Sequence, residues 1–502
     1  MISSFALTLL ITVLTLAALM LLKDLIWFLK SLKYIKQGIP VRYFPVIGSV
    51  KYLENPDKED GMDDFRLLFQ KRDQTEDRTE KLILMGGLTT EAFIFLNDED
   101  LIKEFFQKET QVCCTDNSLD FPPKKSFLFS KDRHKVQNER AIFAEIFYPE
   151  NLEKQTPQIR AIVQRHLKKL KKSVKEAKTV SGKIEKKFVE IDLKSCTKAV
   201  IVDIVSFVLF GGEIPEVEGV PMVNQIDATI QGWFKNRTSL LHVATGGLST
   251  KLGLDSEFNR IEQVYQKLTK TVKEVVSSRD SSEEYALGSN VVDLLILKNR
   301  QLKAAGKHDQ VMSLDKIAEN IFVMIFARMD TSRNLTESAL YKLSFEPELQ
   351  SKLRDSVRRV VVGCGGGLEY QKYDQSGLLN LFIKESLRLY SPILFSFNRK
   401  ILRDFELGQY KFSKGDNLIV PFRFIQVKPE CFDQPREFDL RRYKNKKKIK
   451  EPSRSVLVPF SAGKRACVGK NLADIMIKVI LCNFLDQFEL EGSATPIEGF
   501  FS

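Results

Sequence analysis

The chain has 502 residues, a formal net charge of +12 and 43% hydrophobic side chains, enough for a packed core. Its length admits one large domain or two to three average ones. The basic balance suits an anionic membrane surface or an acidic protein partner, and the lack of any recognisable nucleic-acid module sets nucleic acid aside.

From Met1 to Leu22 there is no charged residue, and Leu, Ile, Thr and Ala dominate. About twenty such residues span a bilayer core as a helix. The run is too long for a typical signal-peptide core, and it lacks a basic start and a small-residue cleavage site. Trp27, an interfacial residue type, follows, then Lys30, Lys33, Lys36 and Arg42. The positive-inside rule therefore places the rest of the chain in the cytosol. Gly38-Ile-Pro40 and Tyr43-Phe-Pro45-Val-Ile-Gly48 punctuate the next stretch,. The organisation expected is a transmembrane anchor over 1–22, a basic and proline-marked hinge over 23–48, and one domain over 49–502.

Alternating runs at Lys81–Met85 and Glu91–Phe95 predict a small hairpin,. Most of the remainder has helical periodicity, with no repeat and no long linker. The lysine-rich stretches Lys168–Lys187 and Lys444–Lys450 read as solvated surface,. Gly363 and Gly365–Gly367 lack the Lys-Ser/Thr of a phosphate loop and read as a surface turn. Asn236-Arg-Thr and Asn334-Leu-Thr match a glycosylation pattern that a cytosolic domain would not use. Seven scattered cysteines form no CxxC pair, and four distant histidines offer no HxxxH zinc site,. Reduced thiols in a cytosolic compartment follow.

Four motifs remain, in chain order. Val136-Gln-Asn-Glu-Arg140 opens a helical stretch that reaches Phe147. Ser313 is a good N-cap for a helix of roughly thirty residues, about 45 Å long. It contains Ala327-Arg328-Met329-Asp330-Thr331-Ser332, a polar pair inside an apolar helix. Such a pair needs a polar cavity or partners, although a lone threonine there usually bonds back to its own helix. Glu385 and Arg388 stand one helical turn apart, with Arg399 and Arg442 further on,.

The last motif is Phe460-Ser-Ala-Gly463-Lys-Arg465-Ala-Cys467-Val-Gly469. Apolar residues at 472, 475, 476, 479 and 480 predict a helix just after it. Cys467 then lies before a helix N-terminus, where the dipole and free N–H groups stabilise a thiolate. Glycines 463 and 469 would let the loop take positive φ and lie close under a planar ligand. Arg465 could fork onto a carboxylate, and Phe460 could shield the sulfur.

This loop resembles the haem-binding loop of the cytochrome P-450 family, F-x-x-G-x-R-x-C-x-G. The upstream motifs resemble that family's W-x-x-x-R, A-G-x-D-T-T/S and E-x-x-R patterns, in family order. Val136 replaces the usual Trp, Arg328 the usual Gly, and Leu440 a usual Pro. The resemblance implies a mostly helical fold with small β-sheets, behind one N-terminal transmembrane helix. It implies haem b, with Cys467 as axial iron ligand and Arg140, Arg399 and Arg465 on its propionates. Glu385, Arg388 and Arg442 would form a structural lock, while Asp330 and Thr331 deliver protons. The reaction implied is monooxygenation of an apolar small molecule by a monomer in the endoplasmic reticulum membrane. Electrons would come from NADPH through a flavoprotein reductase, with cytochrome b5 as a further donor, docked near Lys444–Lys450. A haem-thiolate isomerase or dehydratase acting on peroxides, and a membrane haem-binding protein without turnover, stay open beside it. Arg328 is expected to pair with Asp330 or turn to solvent.

Overall fold

A computed structural model describes residues 2–42, 81–86, 92–115, 123–130, 132–176, 190–212, 215–237, 250, 252–282, 288, 290–362, 376–443 and 457–492. The hinge residues 43–48, the glycine run 363–367 and the lysine run 444–450 lie outside these.

Helix α1 (Ile2–Ile35) does not end at residue 22. It is long and apolar enough to cross a membrane, over Leu10–Ile35. Its final third nevertheless belongs to the domain: Lys23, Trp27, Ser31 and Tyr34 are buried. Their spacing (i, i+4, i+8, i+11) forms one helical face. That face packs with Leu82, Leu84 and Ile94. Lys33 and the Tyr34 hydroxyl both donate to Asp416, Lys33 at 2.7 Å. Leu21, Leu25, Phe28 and Leu29 remain exposed on the other side. The helix runs straight through the expected boundary at residues 22–23, and residues beyond it find core partners. Gly38, at φ 75°, reverses the chain beyond the helix end,.

The predicted hairpin forms as β2 (Leu82–Gly86) and β3 (Ala92–Leu96), paired antiparallel with Leu82 opposite Leu96. They join a six-stranded sheet with β1 (Val41–Arg42), β4 (Cys113–Thr115), β7 (Arg399–Ile401) and β10 (Asn417–Ile419). The order is β1-β2-β3-β10-β7-β4. Two small hairpins stand apart, β5 (Glu216–Val217) with β6 (Val220–Pro221), and β8 (Phe405–Leu407) with β9 (Tyr410–Phe412). At the sheet's end Thr115 pairs with Arg399, which brings residues 284 apart in sequence side by side.

Everything else described is mainly helix. Helix α2 (Glu99–Val112) leads into β4, and α3 (Arg133–Ile146) and α4 (Pro149–Glu176) follow. Next come α5 (Leu193–Phe210), α6 (Met222–Arg237), α7 (Ser256–Ser281) and α8 (Val291–Ala304). The long helix α9 (Leu314–Ser344) is capped by the Ser313 side chain, as expected from sequence. It packs against α5, α7 and α13 (Lys470–Gln487), and so runs through the helical core. Between α9 and α13 lie α10 (Pro347–Val362), α11 (Gly377–Leu389) and the short α12 (Phe422–Ile425).

Candidate functional site

Helix α9 and the loop before α13 line an apolar cavity. Along α9 the residues Met324, Ala327, Arg328, Thr331, Ser332 and Leu335 line it. Their spacing follows one helical face, so the pocket wall is a direct product of the 3.6 period. Phe460, Arg465, Cys467 and Gly469 supply the facing wall.

Cys467 stands three residues before α13. Its own N–H donates to the Phe460 carbonyl at 2.8 Å, folding the loop back on itself. Its side chain is exposed, but to this cavity, deep inside the fold, and not to bulk water. Burial raises its pKa, against the pull of the Gly469 N–H, Arg328 and Arg140,. The two glycines of the loop have different reasons to be glycine. Gly463 has φ 68°, and a Cβ there would sit 2.6 Å from the Phe106 carbonyl oxygen, so it permits contact with α2. Gly469 has an ordinary φ of −85°. The expected positive φ at Gly469 is therefore corrected. A Cβ there would stand 3.9 Å from Cys467 Sγ and 3.8 Å from Arg328 Nε, at ordinary contact distance.

Three arginines gather near the sulfur. Arg140 comes from α3; its Nη2 donates to the Ala466 carbonyl, and its Nε is buried without a partner. Burial, with Arg465 and Arg399 nearby, lowers its pKa to about 10, so it stays charged at neutral pH. Arg399 and Arg465 both donate to the Thr115 hydroxyl, at 3.1 and 2.9 Å. Arg399 also pairs with fully buried Glu109. Sequence reasoning missed Glu109, and a signal was present. It lies on the face of α2 that buries Leu101, Phe105 and Val112, where a carboxylate is costly without a partner,.

The polar pair on α9 separates. Thr331 lines the cavity, with its hydroxyl donating to the Ala327 carbonyl at 2.7 Å. Asp330 falls off the lining face and pairs with Arg333 at 3.0 Å, its side chain 48% exposed. Neither expectation for Arg328 holds. It turns inward, only 8% exposed, with its guanidinium 4.2 Å from the centre of the Phe147 ring. The aromatic face of Phe147 on one side and Gly469 on the other bound the seat it occupies.

Behind the cavity, Glu385 and Arg388 pair in a fork at 2.8 and 2.9 Å, both fully buried. Arg442 reaches the same carboxylate at 3.2 Å, and the Tyr443 hydroxyl at 2.8 Å. Arg388 and Arg442 direct their other N–H groups to the carbonyls of Gln426, Pro435, Gln434 and Glu437.

These residues fit a macrocycle with an axial thiolate ligand and two carboxylates. Cys467 supplies the sulfur. Arg140, Arg399 and Arg465 carry three positive charges against one on Glu109, leaving two for two carboxylates. The orphaned Nε of Arg140 marks an unfilled acceptor position,.

A mostly helical domain with a cysteine and arginines around one apolar cavity defines a haem-thiolate class of protein. The family model for Cytochrome P450 matches residues 65–498, and the chain belongs to that family. It is 24% identical to cytochrome P450 709B3 of Arabidopsis thaliana, over 62% of this chain and 59% of the relative. It is 29% identical to a probable cytochrome P450 6a18 of Drosophila melanogaster, over 50% and 49%. Cytochrome P450 26B1 of Xenopus tropicalis is 24% identical over 83% and 74%. The matched stretch thus spans only about half to three fifths of the first two relatives. Membership implies a haem iron cofactor.

Proposed function

We propose that the protein is a haem-dependent monooxygenase that inserts one oxygen atom of O2 into an apolar small molecule. Electrons come from NADPH through a flavoprotein reductase. The observation that carries this reading is Cys467, facing an apolar cavity beside three arginines. When bound, the haem supplies the oxygen chemistry, with the thiolate tuning its electronics.

The chain's own residues bind, orient and shield. Cys467 would be the axial ligand, and Arg140, Arg399 and Arg465 would hold the two carboxylates. Phe460 and Leu472 line the same cavity and would shield the sulfur from water. Thr331 Oγ1, on the cavity wall, holds a proton that it currently donates to Ala327. Rotation about its Cα–Cβ bond would offer that proton to the cavity. Asp330 faces outward, so its contribution is to link that relay to solvent from the outer face. Helix α1 would anchor the domain to the endoplasmic reticulum membrane, with the domain in the cytosol.

The test is spectroscopic, then kinetic. Reduced protein treated with CO should give the red-shifted Soret band of thiolate ligation, and Cys467→Ala should lose it. The same band in the mutant overturns the ligand assignment. NADPH-dependent O2 uptake with a reductase should accompany product formation. Turnover of a lipid hydroperoxide without NADPH would replace the monooxygenase reading with an isomerase.

A further inference from the structure

Two polar residues interrupt the apolar run of α9 just before the cavity begins, in Ile317-Ala-Glu319-Asn320-Ile-Phe-Val323-Met324. Glu319 and Asn320 stand one helical turn before Val323 and Met324, which line the cavity, so the four share one face,. The polar pair turns instead to segment 123–130, a run of turns with neither helix nor strand. Glu319 accepts from the Lys125 N–H at 2.5 Å, and Asn320 Oδ1 accepts from the Phe127 N–H at 2.8 Å. The segment serves other donors itself, since the N–H groups of Phe129 and Ser130 reach the Ser126 carbonyl. Its tie to α9 matters because Phe127 and Leu128 form part of the cavity wall.

Asn320 is fully buried and can face only one way. Its Nδ2 donates to the Glu139 carboxylate at 3.2 Å, and Lys316 holds that carboxylate from its other oxygen. A carboxylate accepts only, so exchanging the amide's oxygen and nitrogen would turn a donor toward the Phe127 N–H. Glu139 on α3 thus orients the amide, and the amide fixes the backbone of Phe127. The Phe127 ring then rests against Phe143, with centroids 5.1 Å apart. Without the amide oxygen, a buried N–H would lose its acceptor, and the segment would have to move toward water to regain one.

We infer that Asn320, oriented by Glu139, is a specificity-determining positioning residue. It holds Phe127 inward and so sets how large an apolar molecule the cavity admits, with Glu319 as a second tie on the same segment. This deepens the monooxygenase reading, on which it rests, by assigning the size limit of its substrate.

The haem-loaded protein is titrated with phenol and with 4-cyclohexylphenol, following heat of binding, and amide exchange of residues 123–130 is timed. Asn320→Ala should speed exchange at Phe127 at least tenfold, because the protecting bond is gone. With the wall released, the affinity ratio of 4-cyclohexylphenol to phenol should rise at least fivefold. Asn320→Asp, which sets like charge against Glu139, should move both readouts the same way. Combining Asn320→Asp with Glu139→Gln reverses donor and acceptor, and should restore native exchange and the native ratio. Unchanged exchange in both single variants, or faster exchange with an unchanged ratio, overturns the inference. An equal fall in affinity for both phenols also overturns it, since a purely structural role would give that result. Should Asn320→Ala not fold, Asn320→Asp and its rescue carry the same comparison. Neither readout depends on the iron ligand, so a missing thiolate band beside an intact size effect would sink only the monooxygenase reading.

Discussion

Two buried groups of arginines lie in this protein, and they differ in whether their hydrogen bonds are complete. Around Glu385, two guanidiniums, a phenol and the Asp439 N–H converge on one carboxylate, and the remaining arginine N–H groups meet carbonyls. Around Cys467, four guanidiniums face one carboxylate, and Arg140 and Arg328 each retain a buried N–H without an acceptor. A closed cluster holds a fold together. An open one, partly exposed to the cavity through Arg140 and Arg465, is shaped for something the chain itself does not contain,.

The largest way to sharpen that contrast is Glu385→Ala. It leaves Arg388 and Arg442 as uncompensated buried charges and should cost about 3–5 kcal/mol. Urea unfolding of the haem-free protein reads it directly. Arg465→Gln should behave in the opposite manner, with unfolding little changed. Haem affinity should instead fall by about ten- to a hundredfold, the worth of one charge-assisted hydrogen bond of about 1.5–3 kcal/mol. A large loss of stability there, with haem affinity intact, would break the comparison.

Arg328→Met comes next, and its sign is the telling part. Replacing an unpartnered buried charge by an apolar side chain of similar length should stabilise the haem-free protein by about 1–2 kcal/mol. Destabilisation would mean that the guanidinium already has its partner.

Smaller still is the pH response. Burial would raise the pKa of Glu385, but Arg388, the Asp439 N–H and Tyr443 together outweigh it and bring it below the ordinary value. A depressed carboxylate contributes stability that is present above its unfolded pKa, near 4.3, and lost as pH falls through the folded one. Native unfolding free energy should therefore drop below about pH 4. Tyr443→Phe, which removes one bond to that carboxylate, should cost about 1 kcal/mol and move the drop to slightly higher pH.

Much of this was legible in sequence because it is written within single elements. Glu385 and Arg388 sit one turn apart on α11, so backbone geometry alone makes them neighbours,. The Ser313 cap and the hairpin at β2 and β3 follow from similarly local rules. The loop around Cys467 could be read for the same reason, since it is continuous and leads into α13.

What the sequence left undecided depended on partners brought from elsewhere. Lys23, Trp27, Ser31 and Tyr34 look like linker until a sheet formed some fifty residues later covers them. Glu109 is one acidic residue on a helix until it meets Arg399, 290 positions away, at the end of that sheet. Asp330 and Thr331 are adjacent in the motif, yet 100° per residue sends one outward and one to the cavity. For Arg328 the sequence offered pairing with Asp330 or a turn to solvent. The ring of Phe147, brought from the end of another helix, gave its guanidinium a place inside. Local periodicity thus determined which residues share a face, and tertiary packing decided what each face meets, because side-chain energy depends on neighbours that the chain supplies only once folded.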